Sequence, residues 1–255
     1  MSDQLLLLER PLAGVALIRL NRPDVRNAIN LPMQAALDAL LTELEADESV
    51  RAVVLTGAGD KAFSAGYDVR EMQVFDRDQI LLAQLRREPW IWHIAHYSKP
   101  LLGAINGAAH GAGAIIAAAL DIRVGGPRTE FRFTATSYGG ANNTWQLPPI
   151  VGFAKAKEWL LSARRIKADE ALQAGLLNHH VADDAVLGKT LEIAAEIAAH
   201  PPLAVRQTKA LIHDNLGRSY AEAYRAENAV MMNELAPQPP GQLFEKFLNK
   251  RPTDQ

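Results

Sequence analysis

The 255-residue chain contains no cysteine, which excludes disulfides, thiolate metal sites and a cysteine nucleophile. Neither sign of charge is in excess: 27 Lys and Arg against 29 Asp and Glu leave a formal net charge of -2. No overall basic field therefore points to nucleic acid or to an anionic membrane surface. Long apolar runs are also missing. The leucines at 5–8 fall short of the roughly 7–15 residues of a secretory h-region, and no run approaches the roughly 20 residues that cross a bilayer. The expectation is a cytoplasmic protein.

What is present is an ordinary globular mixture, 48% hydrophobic and 22% charged. A chain of this length makes one large domain or two small ones. Apolar runs at 5–9 and 15–20, separated by Pro11 and Gly14, read as two paired strands. Asn30, followed by Pro32, starts a helix whose Met33, Leu37, Leu40, Leu41 and Leu44 share one face. Buried-strand patterns follow at 51–56, 101–106 and 121–124, with a further strand around Phe131. Helices fall at 79–97, with a kink expected at Pro89, and at 114–120. Repeated strand–helix crossovers argue for a parallel α/β core. Beyond Gly152 the pattern is mostly helical: 155–162, 168–174, 184–199, 204–215, 219–234 and 241–249. Gly57-Ala-Gly59 after a strand suggests a nicotinamide-binding turn, but Ala62 stands where that motif needs its third glycine.

Five stretches carry more. In chain order they are Leu20-Asn-Arg-Pro-Asp-Val-Arg-Asn-Ala28, Phe63-Ser-Ala-Gly-Tyr-Asp-Val-Arg-Glu-Met72, the run from Pro100 through Gly111-Ala-Gly113 to Asp121, the segment Ile166 to Val181, and the ending Phe247-Leu-Asn-Lys-Arg-Pro252. Together they resemble the crotonase superfamily, the enoyl-CoA hydratase/isomerase fold, over nearly the whole chain. The resemblance implies an α/β fold with a ββα spiral core over 1–195 and a helical C-terminal region over 196–255 that makes trimers, paired into hexamers. It implies an acyl-CoA thioester as substrate, with no further cofactor; the charge balance and the absence of a long Lys/Arg or apolar run add the expectation of no nucleic-acid and no membrane partner, and no ligand spacing suggests a metal.

The glycine- and alanine-rich turns have a physical reading of their own. They leave backbone N–H groups uncovered, and two such groups converging on one point make an oxyanion hole. By resemblance the donors are Tyr67 and Ala112, and the dipole of the helix opened by Gly113 favours the same anion. The resemblance lays coenzyme A along Val25, Arg26, Ala65, Gly66, Asp68, Val69 and Arg70, beside Gly111, with Lys250 or Arg251 closing over the nucleotide. Arg and Lys suit its phosphates.

Two departures from the family bear on the chemistry. The glutamates with which its hydratases activate water are replaced by Ile115 and Ala135, which neither take nor give protons. The loop Thr134 to Thr144 is similar to that of 4-chlorobenzoyl-CoA dehalogenase, whose nucleophilic aspartate corresponds to Asn143. It is also similar to that of methylmalonyl-CoA decarboxylase, where a Tyr-Asn pair stands in place of Asn142-Asn143. Neutral polar groups (Asn142, Asn143, Thr134, Ser137 and Tyr138) suit enolate formation by loss of a carboxylate better than they suit hydration. Glu88 and His93, on the helix before Pro100, are the other acid–base candidates. His110 reads as packed against backbone, His96 as surface, Glu71 as a solvated helix residue and His179-His180 as a non-metal pair. Three functions stay open: an enolate-forming acyl-CoA enzyme of this superfamily, a decarboxylase or C–C hydrolase of the same fold, and a non-catalytic acyl-CoA binder.

Overall fold

A computed structural model of the chain describes residues 4–235. Lys250, Arg251, the expected helix at 241–249 and the terminal basic motif lie outside the described residues. The strands are β1 (Leu6–Leu12), β2 (Val15–Leu20), β3 (Ala52–Gly57), β4 (Ala62–Ser64), β5 (Leu101–Ile105), β6 (Ala108–His110), β7 (Ile122–Gly125), β8 (Glu130–Arg132), β9 (Ile166–Lys167) and β10 (His179–His180). The helices are α1 (Leu31–Ala46), α2 (Val69–Met72), α3 (Arg77–Ala95), α4 (Ala112–Ala119), α5 (Leu147–Ser162), α6 (Ala168–Gln173), α7 (Val186–Ala198), α8 (Pro202–Asp214) and α9 (Tyr220–Asn233).

The strands form two sheets, ordered β1-β2-β3-β5-β7-β10 and β4-β6-β8-β9. The β1–β2 pair is antiparallel, as two runs joined by a short Pro/Gly segment should be, and the rest of the larger sheet is parallel. From β3 onward the chain alternates sheets: β3, β5 and β7 go to the larger, and β4, β6 and β8 to the smaller. This ββα repeat winds the core into a spiral.

Successive strand residues point to opposite faces, and here both faces are covered. Ala16, Ile18, Leu20, Val53 and Leu55 enter the core shared with α1, α3 and α4. Val15, Leu17, Ala52 and Val54 enter a second core closed by Val186, Ala194 and Ala198 of α7. Asn30 caps α1 by accepting from the Met33 amide at 3.0 Å, and Met33, Leu37, Leu41 and Leu44 form its buried stripe. The far end of α1 is held by Lys99 Nζ, which donates to the carbonyls of Leu44 (2.8 Å) and Asp47 (2.6 Å). α3 continues through Pro89 as one helix. α5 begins earlier than the sequence pattern predicts, because Gly152, at φ 78°, breaks it in two.

The chain divides into two compact units after Pro202. The boundary expected at 195/196 falls inside α7, which packs on the larger sheet through Ala198. In the second unit, α9 starts with a capping box between Ser219 and Glu222. α8 and α9 bury no residue; Ile212, Tyr220 and Tyr224 on them and Leu216 between them are exposed. Among the described residues no helix is long and apolar enough to cross a membrane.

Candidate active site

The site is built from three segments that reach one place by different routes. In the first, Asn27 ties the turn before α1 onto β4 by donating to the Ala58 (3.0 Å) and Ala62 (2.9 Å) carbonyls. The amides that follow β4 are nearly all committed. Ala65 donates to the Arg26 carbonyl (2.9 Å), Gly66 to Ser64 Oγ (3.1 Å) and Asp68 to the Ile29 carbonyl (2.9 Å). The Tyr67 amide donates to no group among the described residues.

The second segment is the turn from β6 into α4. Gly111 donates to the Arg132 carbonyl at 2.9 Å, and the Ala114 amide turns back to Gly111. Ala112 is the first residue of α4, and its amide has no acceptor among the described residues, as expected for the first turn of a helix. The two turns touch. A Cβ on Gly66, at φ +94°, would stand 2.6 Å from the His110 carbonyl oxygen and 3.0 Å from the Ala112 nitrogen. A Cβ on Gly113 would stand 2.3 Å from the Ser64 carbonyl oxygen, so only glycine lets α4 lie this close to β4.

The third segment is the loop 134–146. It starts beside Gly111, where a Cβ would meet Thr134 Oγ1 at 3.2 Å. It ends with Trp145 against Trp92 of α3, ring centroids 5.8 Å apart. Ala135 opens a short 3₁₀ turn through Tyr138. Ser137 donates to the Thr134 carbonyl and Thr136 to that of Leu160, and Tyr138 is 82% exposed, so these side chains serve the loop or face solvent. Asn143 differs from them. It is 2% exposed, has φ 58°, and neither Nδ2 nor Oδ1 has a hydrogen-bond partner; Asn142 Oδ1 is also buried and unpartnered. Buried polar groups are normally paired, so this loop presents polar atoms that protein groups do not satisfy. Ile115 is buried on α4.

Helix α3 closes the site, with a residue the sequence reading overlooked. Its inward stripe runs through Ala83, Trp90 and Ile94, and Arg87 falls on that stripe at helical spacing. The Arg87 guanidinium lies 3.6 Å above the centre of the Tyr67 ring. Burial pushes the Tyr67 phenol up to about 12, while the Arg87 charge acts in the opposite direction. Glu88, one position on, is turned outward and exposed. His93 is drawn away toward α1, with Nδ1 2.8 Å from Asp38 Oδ1 and Nε2 3.5 Å from Glu45 Oε2. His96 stacks on Trp92 at the surface.

The remaining candidates divide between scaffold and surface. Asp68 caps α2 through the Arg70 amide (3.0 Å) and accepts from Arg22 Nη1 (2.8 Å). Burial pushes its carboxyl upward, but Arg22 and that amide outweigh it and hold the group below the ordinary range. Glu71 is no solvated residue: its carboxylate accepts from the Leu31 amide at 2.9 Å and joins α2 to the start of α1. Val69 is 71% exposed, and Ala65 and Arg70 are exposed as well. Val25 is half-buried beside Arg26, which is exposed and adopts a left-handed backbone (φ 55°). Arg26 lines a cavity of about 410 Å³ with Pro23, Asp24, Gly59, Asp60 and Lys61. Lys61, a second cation there, carries no motif signal and was not singled out from the sequence. His110 is held by a carboxylate rather than by backbone: Nε2 lies 3.0 Å from Glu130 Oε1, and Lys167 pairs with the same carboxylate. Burial lowers the His110 pKa despite Glu130. His180 Nδ1 lies 3.1 Å from Asp169.

Comparison with known proteins identifies the family and the fold. The enoyl-CoA hydratase/isomerase family profile matches residues 10–254. A short-chain-enoyl-CoA hydratase of Clostridium acetobutylicum is 35% identical over 202 residues, covering 78% of this chain and 77% of the relative. 4-Chlorobenzoyl coenzyme A dehalogenase-2 of an Arthrobacter species is 37% identical over 196 residues, 74% of this chain and 70% of that one. Among solved structures, the enoyl-CoA hydratase of Bacillus anthracis superposes with a TM-score of 0.92 at 29% identity, covering 97% of both chains. With touching glycine turns on a two-sheet spiral and a family match over nearly its full length, the chain belongs to the enoyl-CoA hydratase/isomerase family.

Proposed function

We propose that the protein is an enzyme acting on an acyl-CoA thioester, whose carbonyl oxygen is held by the amides of Tyr67 and Ala112 while an enolate forms. The observation that carries this reading is that the uncommitted amides of Tyr67 and Ala112 stand on two turns in contact, Tyr67 between the committed amides of Gly66 and Asp68 and Ala112 after that of Gly111. Such donors cost no reorganisation when charge develops, and losing one typically lowers the rate by about 10²–10³. The start of α4 adds the partial positive charge of a helix N-terminus. Coenzyme A runs along Val25, Arg26, Ala65, Gly66, Asp68, Val69 and Arg70, with its phosphates toward Arg26 and Lys61 of the cavity. Asp68 serves there as scaffold for the turn. No further cofactor is needed, since the thioester supplies the electron sink.

Ile115 and Ala135 leave no carboxylates at the two positions where hydratases carry them, so the enolate arises by cleavage of a C–C bond at the α-carbon rather than by addition of water. Asn142 and Asn143 hold the departing group or the acyl chain through their unpartnered polar atoms. The C-terminal helices carry a trimer, paired into a hexamer, which light scattering on the purified protein reads directly. The functional test offers crotonyl-CoA, malonyl-CoA, methylmalonyl-CoA and β-ketoacyl-CoA to the purified protein. Loss of carbon dioxide from an α-carboxy thioester (malonyl- or methylmalonyl-CoA), or cleavage of a β-ketoacyl-CoA with water taking the released acyl group, is expected, with negligible hydration of crotonyl-CoA. Ordinary crotonyl-CoA hydration overturns the assignment of Ile115 and Ala135, and binding without any turnover leaves an acyl-CoA binder.

A further inference from the structure

Arg87 is the unusual group in this site. It stands on the buried stripe of α3, yet no carboxylate among the described residues pairs with it. Its Nε is buried without a hydrogen-bond partner, and its one recorded contact is the Tyr67 ring beneath it. Its sequence neighbours Arg86 and Glu88 are exposed and point to other faces of the helix. A guanidinium that only braced the fold would spend its N–H groups on protein carbonyls, as Arg123 does with those of Ala117, Leu120 and Leu176. Arg87 instead keeps a planar fork of donors above the side chain of the residue whose amide faces the thioester.

We infer that Arg87 binds a free carboxylate at the far end of the substrate's acyl chain, so that the preferred substrates are α-carboxyacyl-CoA thioesters that carry a second, terminal carboxylate: the α-carboxylate leaves as carbon dioxide and the terminal one stays. This rests on the proposed thioester site at Tyr67 and Ala112. Arg is suited to this task because its fork matches a carboxylate in a bidentate arrangement. Stacking on Tyr67 fixes its plane and reduces the conformational freedom lost on binding. The position sets the chain length. The guanidinium lies over the ring and is separated from the Tyr67 amide by that side chain, so the carboxylate it takes stands several carbons from the thioester rather than next to it. Arg87 thus grips a group that stays on the substrate, while the bond that breaks lies at the α-carbon. A cation paired with a departing carboxylate would stabilise the ground state and oppose its loss, so the terminal carboxylate is the one it recognises.

The test compares binding of glutaryl-CoA with that of pentanoyl-CoA by titration calorimetry, on the wild-type protein and on Arg87→Met and Arg87→Lys. The wild type is expected to bind glutaryl-CoA about 10- to 100-fold more tightly, the scale of a charge-assisted hydrogen-bond pair. Arg87→Met should erase that preference while leaving pentanoyl-CoA affinity within about twofold, which also shows that the variant is folded. Arg87→Lys, with the charge but not the fork, should retain part of it. Equal wild-type affinities for the two thioesters overturn the inference and leave the acyl-CoA reading intact, as does a loss of both ligands together in Arg87→Met. Failure of the wild type to bind either thioester overturns both.

Discussion

The paired turns at 64–68 and 110–113 and the loop at 134–146 meet at Gly111, yet they are made in opposite ways. In the turns the backbone is the working part. The amides of Ala65, Gly66, Asp68 and Gly111 are committed to named acceptors, those of Tyr67 and Ala112 are not, and glycine stands where a Cβ would collide with the facing chain. In the loop the side chains are the working part. Asn142 and Asn143 bury polar atoms that nothing nearby satisfies, while Ser137, Thr136 and Tyr138 attend to the loop itself or to solvent. The backbone turns suit any thioester, because every thioester has the same carbonyl. The loop and the facing helix are where one acyl group is told from another.

The sharpest way to break this contrast is Gly66→Ala. The added methyl would sit 2.6 Å from the His110 oxygen on a backbone at φ +94°, forcing the turns apart. Turnover of whichever thioester the wild type accepts should fall by at least about 10²-fold, and the melting temperature should drop as well. Unchanged turnover in a folded variant would show that the spacing of the turns does not matter. Asn143→Ala tests the other half. Because Asn143 side-chain atoms bond to no protein group, stability should change by about 1 kcal/mol or less, while turnover falls by about tenfold. A large loss of stability with activity kept would make the residue a turn-former only. The smallest effect concerns acid. Burial holds His110 below its ordinary pKa of 6.5, so the unfolded chain takes up a proton that the folded one resists. Stability should then decline as the pH falls through 6.5 toward 5. The Glu130 carboxyl is pushed up by burial, but Lys167 and His110 outweigh that and hold it below its ordinary 4.5, so its own contribution is lost only at lower pH, with the same sign. Urea midpoints across pH 7 to 5 should slope less in His110→Asn; an identical slope would place the linkage elsewhere.

What could be read from the sequence follows the same division. Asn30 before a helical stripe, the apolar run at 52–55 and the glycines beside Tyr67 and Ala112 all announce themselves, because cap chemistry, strand burial and φ > 0 are local demands. Arg87 does not. On α3 it and Glu88 are adjacent charged residues, and Leu81, Leu82 and Leu85 are exposed, so the apolar period does not show which of the two turns inward. Lys61 and Glu71 were missed or misread for a related reason. Each acts on a backbone or cavity brought near by distant segments, Glu71 on Leu31 forty residues earlier, and no local pattern marks such a partner. The expected helices at 204–215 and 219–234 are found as α8 and α9, since caps and spacing are local too.

The winding of the core has a consequence for how the molecule comes into being. Val53 pairs with Leu101, Leu102 with Ile122, and Ala109 with Phe131, so almost every parallel neighbour arrives only after another circuit of chain has been made. Loop closure precedes the reward at each circuit, which places the protein among slow folders dominated by non-local pairing. On the ribosome, the first hundred residues emerge holding β2 and β3 without the strand that completes their sheet, an unsealed edge that waits for β5.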